Sequence, residues 1–257
     1  MNTNDFMIYD SHIHFNMKAQ NILSDFENEV KSLYGFILIL NSKKEKDFFI
    51  KNLLSLFCSK FPNSVLVIDF ELLDEKFIKM LQVSNIDFGI KIHPRLSNLN
   101  IHSFERVYES IKDKQFNFII VDCFYYGSNL ENHINLEIAI YMAKNFPDKN
   151  ILLAHAGGHK ILDFMLYTRE LKNIYYDLSL TCNYLVNTSV QSDIENFVKY
   201  TSDRVFFGSD YPDFKVSSAL IAYTNIFEYL NLDIGKREQI LSGNILSFLD
   251  KGNNYEK

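Results

Sequence analysis

The sequence predicts an α/β fold: a single (β/α)8 TIM barrel, distorted, with extra C-terminal helices. Three observations carry this. Short apolar runs alternate with longer amphipathic segments from end to end, and there are eight such units. Several runs (GFILIL, SVLVIDF, FNFIIVDCF, RVFFGSD) are continuous rather than alternating, as strands covered on both faces are. No glycine-rich phosphate loop follows any strand, which favours a closed ring over an open doubly wound sheet.

The expected strands are 7–15, 34–40, 64–70, 88–93, 116–124, 150–155, 174–180 and 204–209. Between them, stripes at steps of three and four mark outer helices. Residues 43–60 carry Phe49, Leu53, Leu56 and Phe57 on one face. Residues 131–146 carry Ile134, Ile138, Met142 and Phe146, with Pro147 closing the helix. Val216, Leu220, Tyr223, Phe227 and Leu230 repeat in the same way. A helix over 161–172 follows Gly157 and Gly158. Residues 19–33 make the weakest helix, with Ile22, Phe26 and Val30 behind a polar loop. A helix near 236–241 is expected to stop at Gly243, with Asn244 capping a last one over 245–249.

Composition narrows the function. The 257 residues are 47% hydrophobic, enough for a large core, and show no break that would mark a second domain, so 1–257 reads as one barrel domain. A net charge of -6 without a basic run argues against nucleic acid. No apolar stretch approaches the ~20 residues of a membrane span, and the first residues do not resemble a signal peptide. Cys58, Cys123 and Cys182 are odd in number and widely spaced, which suits a cytoplasmic protein without structural zinc.

In a parallel barrel the C-terminal strand ends converge on one mouth. The first strand, in MIYDSHIHF, ends in His12 and His14. Side chains two apart on a strand lie on one face roughly 7 Å apart, so both can reach one metal, with Asp10 a step behind on that face. The fourth strand ends in Lys91 and His93 before Pro94 and Arg95. The fifth ends at Asp122 and Cys123, the sixth at His155, the seventh at Asp177 and Ser179, the eighth at Asp210 before Tyr211-Pro212. Each residue also has a plainer reading. His93 could brace a turn, Asp177 could pair with a lysine or cap a loop, and Arg95 and Tyr211 could sit on an exposed rim. Cys123 reads as a small core residue, and His102, His133 and His159 as surface groups. Asp122, inside an apolar run, needs a cation, a metal or donors, because an unpaired buried carboxylate is costly. Asp210 is the strongest single acid, able both to ligate a metal and to take a proton from its water. Histidine nitrogens with carboxylate oxygens suit zinc, and manganese, iron and nickel are compatible.

Taken in order, DSHIHF, KIHP, LLAHAGG, FGSDYP and SGNILSFL resemble the amidohydrolase superfamily, more closely its amidohydrolase-related branch, which includes aminocarboxymuconate-semialdehyde decarboxylase. The resemblance implies a distorted barrel with one divalent metal at its mouth, zinc first and manganese second. It implies hydrolysis of an amide, ester or lactone of a small, anionic molecule, or decarboxylation on the same site. By it, His12 and His14 are metal ligands, Asp210 is ligand and proton acceptor, and His155 acts on the substrate or its water. Lys91, His93 and Arg95 would hold the substrate's anionic part. The family's fifth-strand histidine is missing here. Asp122 could replace it as a ligand, or the barrel works without metal or without chemistry. Lys91 compares with the carbamylated lysine of two-metal relatives, but the missing histidine argues against two metals. The expected partner is a small-molecule substrate, and a homo-oligomer is compatible with the sequence.

Overall fold

The structure, a computed structural model, describes residues 6–252. Eight parallel strands run in chain order: β1 (Tyr9–Ile13), β2 (Gly35–Leu40), β3 (Val65–Asp69), β4 (Phe88–Ile92), β5 (Phe118–Asp122), β6 (Asn150–Ala154), β7 (Ile174–Asp177) and β8 (Val205–Phe206). All eight lie inside the expected ranges. β8 is short, and single hydrogen bonds close the ring beside it. Ser11 N–H donates to Phe207 O at 2.9 Å, Asp210 N–H to His12 O at 2.9 Å and His14 N–H to Tyr211 O at 2.8 Å. Gly208 is at this seam because a Cβ would stand 2.9 Å from Ser11 Oγ and 3.0 Å from Ser179 Cβ.

Strand side chains alternate, and here the two faces have different jobs. The outward set packs under the helices, with Phe36, Leu38, Ile68, Ile90, Val121 and Leu153 in the larger core. The inward set fills the barrel with Tyr9, Ile37, Ile39, Val67, Phe118, Ile120, Leu152, Tyr175 and Phe206. Ile245 and Phe248 join that inner set from the last helix (Asn244–Gly252). The Phe248 ring lies 5.0 Å from Phe118, 5.1 Å from Tyr175 and 5.2 Å from Phe206, so this helix plugs the floor.

Several expected helices end early. The 43–60 stripe is two helices, Lys43–Asn52 and Phe57–Lys60; the break brings Phe57 edge-on to Phe36 and Phe49. The helix after Gly158 covers Ile161–Thr168, where the Thr168 hydroxyl donates back to Phe164 O. Helix Asn135–Asn145 starts later than expected, after a separate 3-10 turn. Gly243 does not stop the chain: a π-helical turn, Gln239–Gly243, runs from helix Ile234–Glu238 straight into the last helix. Asn244 instead donates its side-chain amide to Ser202 O and Val205 O. No helix among the described residues is long and apolar enough to cross a membrane.

Candidate active site

The inward face turns polar at the top of the barrel. One step past the apolar layer, β3 presents Asp69 after Val67, β4 Lys91 after Gly89, β5 Asp122 after Ile120, and β7 Asp177 after Tyr175. β1 reaches the same layer by an irregularity. Its register against β2 shifts between Asp10 and Ile13, which reverses the alternation, so Ile13 joins the outer core and His12 and His14 turn inward. Asp10 therefore does not stand behind them on one face, as regular spacing predicts. Its Oδ1 accepts from His12 N–H and Ser209 N–H, both at 3.0 Å, bracing the seam, while burial pushes its carboxyl up to about 7.

Three groups meet tightly. His12, His155 and Asp210 each offer a ligand atom, all within 4.8 Å of one another. The His12 ring lies 5.3 Å from His14 and 4.7 Å from His155. His12 Nε2 is 3.5 Å and His14 Nε2 3.9 Å from Asp210 Oδ1. His155 and Asp210 hold left-handed backbones, at φ 63 and 61. A left-handed backbone strains a non-glycine residue, and both positions belong to the group of three donors.

The outer nitrogens of the three histidines are occupied. His12 Nδ1 faces Asp177 Oδ2 at 3.2 Å, His14 Nδ1 faces Ile39 O at 3.0 Å, and His155 Nδ1 faces Ser179 O at 2.9 Å. A carbonyl only accepts, so these contacts place the proton on Nδ1 of His14 and His155 and leave Nε2 inward. For His12 and His14 that is the wiring of metal-binding histidines, and their imidazoles with the Asp210 carboxylate fit a divalent ion, whereas His155 Nε2 faces the Asp122 carboxylate at 3.3 Å.

Asp122 is not in the three-donor group. Its Oδ2 lies 3.4 Å from Lys91 Nζ, 3.5 Å from His93 Nε2 and 3.3 Å from His155 Nε2. Lys91 is fully buried, and its Nζ is also 3.4 Å from His12 Nε2. The cation that a buried Asp122 requires is thus Lys91, with the two imidazoles beside it. Burial opposes its ionisation, but His93, Lys91 and His155 hold Asp122 well below the usual carboxylate range. Burial, aided by Lys91, lowers His12 to about 4, and burial likewise lowers His93 to about 4 against the pull of Asp122. Burial also opposes the charge on His155, but Asp122 and Asp210 raise it to about 9.

Above these groups opens a cavity of about 790 Å3. Asp122, His93, Asp210 and the three histidines form its base, and its walls come from loops after the strands. Arg95, exposed at the rim, lies over the Tyr126 ring at 4.9 Å. Lys18, Phe124 and Tyr184 line other sides. Lys91 is absent from the lining and meets the cavity only through its neighbours. His102 and His159 are exposed and His133 is half-buried; none lines the cavity. Tyr211 is buried, its hydroxyl bonded to Asp25. Sequence reading passed over Glu45, Asn41 and Asp69. Inward alternation of strands two and three would have pointed to Asn41 and Asp69, and the Ser42-x-x-Glu45 spacing to Glu45.

An amidohydrolase family model matches residues 80–251, well over half of the chain. The chain belongs to the amidohydrolase family. Within that superfamily of metal-dependent enzymes it falls in the amidohydrolase-related branch. Solved barrels share the architecture at low identity. An uncharacterized TIM-barrel protein of Bordetella bronchiseptica matches with TM-score 0.67 and 15% identity, over 97% of this chain and 100% of that one. An amidohydrolase of Burkholderia multivorans with bound zinc matches with TM-score 0.64 and 14% identity, over 95% and 99%. A probable 2-pyrone-4,6-dicarboxylic acid hydrolase of Acinetobacter baumannii, with citric acid bound, matches with TM-score 0.61 and 13% identity, over 95% and 99%. No curated protein matches the chain in sequence.

Proposed function

We propose that this amidohydrolase-family barrel is a metal-dependent hydrolase that opens an amide, ester or lactone bond of a small anionic molecule. The observation that carries the reading is that His12 Nε2 and His14 Nε2 both face Asp210 Oδ1, at 3.5 and 3.9 Å, with His155 beside them in a group of three donors within 4.8 Å. His12, His14 and Asp210 would hold the ion, with His155 at its edge. When bound, a divalent ion, zinc before manganese, lowers the pKa of a water molecule from about 15.7 toward roughly 7. The zinc-bound and dicarboxylate-hydrolase neighbours support that choice of metal and an acidic substrate.

Asp210 would take the proton of the attacking water and pass it to the leaving group. His155, carrying its proton, would stabilise the charge that develops on the attacked carbonyl oxygen. Asp122 keeps that proton in place and neutralises Lys91. His93 lines the cavity beside Asp122, and Arg95, steadied by Tyr126, would meet an anionic group at the rim.

Lys91 supports a second reading. Its Nζ stands 3.4 Å from His12 Nε2, a fixed positive charge beside the proposed metal ligands. A metal-free hydrolase could use that charge instead. Decarboxylation on the same site is a third reading. One experiment separates them. Elemental analysis and assay of the purified protein against aryl esters, lactones and aromatic acids would be run with and without chelator. The proposal expects one bound metal, chelator-sensitive addition of water, and no turnover in D210N with the fold intact. Full activity of D210N refutes the role of Asp210. Chelator-resistant hydrolysis supports the metal-free reading, and release of carbon dioxide supports decarboxylation.

A further inference from the structure

We infer that Glu45 is a positioning residue that backs His14 from behind, as Asp177 backs His12, and so strengthens the inward nitrogen of His14 as a ligand. This rests on the metal-dependent reading above.

Glu45 sits in the first turn of helix Lys43–Asn52, directly after β2. Its two oxygens are divided. Oε2 accepts from Asn41 N–H at 3.0 Å and from the Ser42 hydroxyl at 2.7 Å, while the Ser42 hydroxyl oxygen accepts from Glu45 N–H. This is a reciprocal cap on the helix start, and it uses only one oxygen. Oε1 points the other way, to His14 Nδ1 at 3.6 Å. A cap alone could leave its carboxylate in water, yet Glu45 is buried and lines the cavity.

Each histidine of β1 thus has a carboxylate behind its Nδ1, hydrogen-bonded to it for His12 and held nearby as a charge for His14. His12 has Asp177 Oδ2 at Nδ1 and Asp210 Oδ1 at Nε2. His14 has Ile39 O and Glu45 Oε1 at Nδ1, and the same Asp210 oxygen at Nε2. The Ile39 carbonyl fixes the proton on Nδ1. The nearby negative charge then makes the ring a stronger donor through Nε2. Neither effect needs the substrate.

The test is Zn2+ affinity of the metal-free protein, by competition with a chromophoric chelator. E45Q keeps the size of the side chain and an oxygen for the Asn41 N–H. It should bind Zn2+ on the order of 10- to 100-fold more weakly, with an unchanged metal-free melting temperature and an altered visible spectrum of the Co2+ form. Wild-type affinity in E45Q overturns the inference while leaving the proposed function standing. A loss of affinity matched by an equal loss of metal-free stability assigns Glu45 to the helix cap alone and also overturns it. No Zn2+ uptake by the wild type overturns the metal reading, and this one with it. A separate measurement holds even if E45Q does not fold: imidazole 15N shifts of the wild type should show His14 protonated on Nδ1, and protonation on Nε2 refutes the wiring.

Discussion

Replacing Asp177 with asparagine should separate the fold from the metal centre. Asp177 is fully buried, and both of its oxygens have partners. Its Oδ1 accepts from His155 N–H and Ser179 N–H, both at 3.0 Å, and from the Ser179 hydroxyl. Burial alone would raise its carboxyl, but His12 and His155 outweigh that and hold it well below the usual range. Three donors converge on Oδ1, so an asparagine must keep its oxygen there. Its NH2 then replaces Oδ2, facing His12 Nδ1. That nitrogen must become an acceptor, and the His12 proton moves to Nε2, toward Asp210. The fold loses one charge-assisted hydrogen bond, about 1.5–3 kcal/mol. Metal affinity should fall on the order of 100-fold, because the ligand nitrogen is now protonated. D177A, by contrast, strands four donors and should cost about 3–5 kcal/mol. Urea unfolding in chelator gives the stability terms, Zn2+ competition gives the affinity, and imidazole 15N shifts give the tautomer. D177N that binds Zn2+ as tightly as the wild type, with His12 still protonated on Nδ1, would refute this account.

Further outcomes concern the fold. Burial raises Asp69 from its ordinary 3.8 to about 7, partly offset by the Glu71 N–H, and its Oδ2 has no hydrogen-bond partner among the described residues. The unfolded chain loses this proton near pH 4 and the folded chain only near 7. Its contribution is thus fully present below pH 4 and lost as pH rises through 7, a cost of about 4 kcal/mol. D69N should therefore be more stable than wild type at pH 8 in urea melts, with the gain vanishing near pH 4; equal stability at both pH values would disprove it. Gly157 has φ +88 and a Cβ there would stand 2.1 Å from Phe164 Cδ2. G157A should lose about 3 kcal/mol, measured as a lower unfolding midpoint; no shift would contradict the geometry. F248A should lose about 3–5 kcal/mol by the same measurement while leaving Zn2+ affinity of the folded protein near wild type, and an affinity change as large as that of D177N would count against a purely structural floor.

The strands and their order were legible in the sequence, because a buried parallel strand is a run of apolar residues whatever its neighbours are. His12, His155 and Asp210 were legible too, as polar residues closing such runs. What pairs with what was not. Asp122 reads as a replacement ligand because it stands where a histidine was expected, and only the folded barrel puts its oxygen against Lys91. Asp10 looked like a neighbour of His12 because alternation was assumed regular, and an irregularity in β1 breaks it. Glu45 was hidden for a different reason. Glutamate in the first turn of a helix needs no further explanation, and its second oxygen reveals itself only when His14 folds over it. Helix ends depend on similar detail: one helix ends at Thr168, whose hydroxyl bonds back to Phe164 O, and a π-helical turn carries another past Gly243.

The seating of Phe248 among strand residues from β5, β7 and β8 affects how the molecule is made. The ring's interior cannot be completed until the last part of the chain is available. While that part is still held in the ribosome, Phe118, Tyr175 and Phe206 lack their partner at the lower opening. A nascent chain ending near residue 243 should therefore bind hydrophobic dyes and resist compaction, although every strand has already been synthesised.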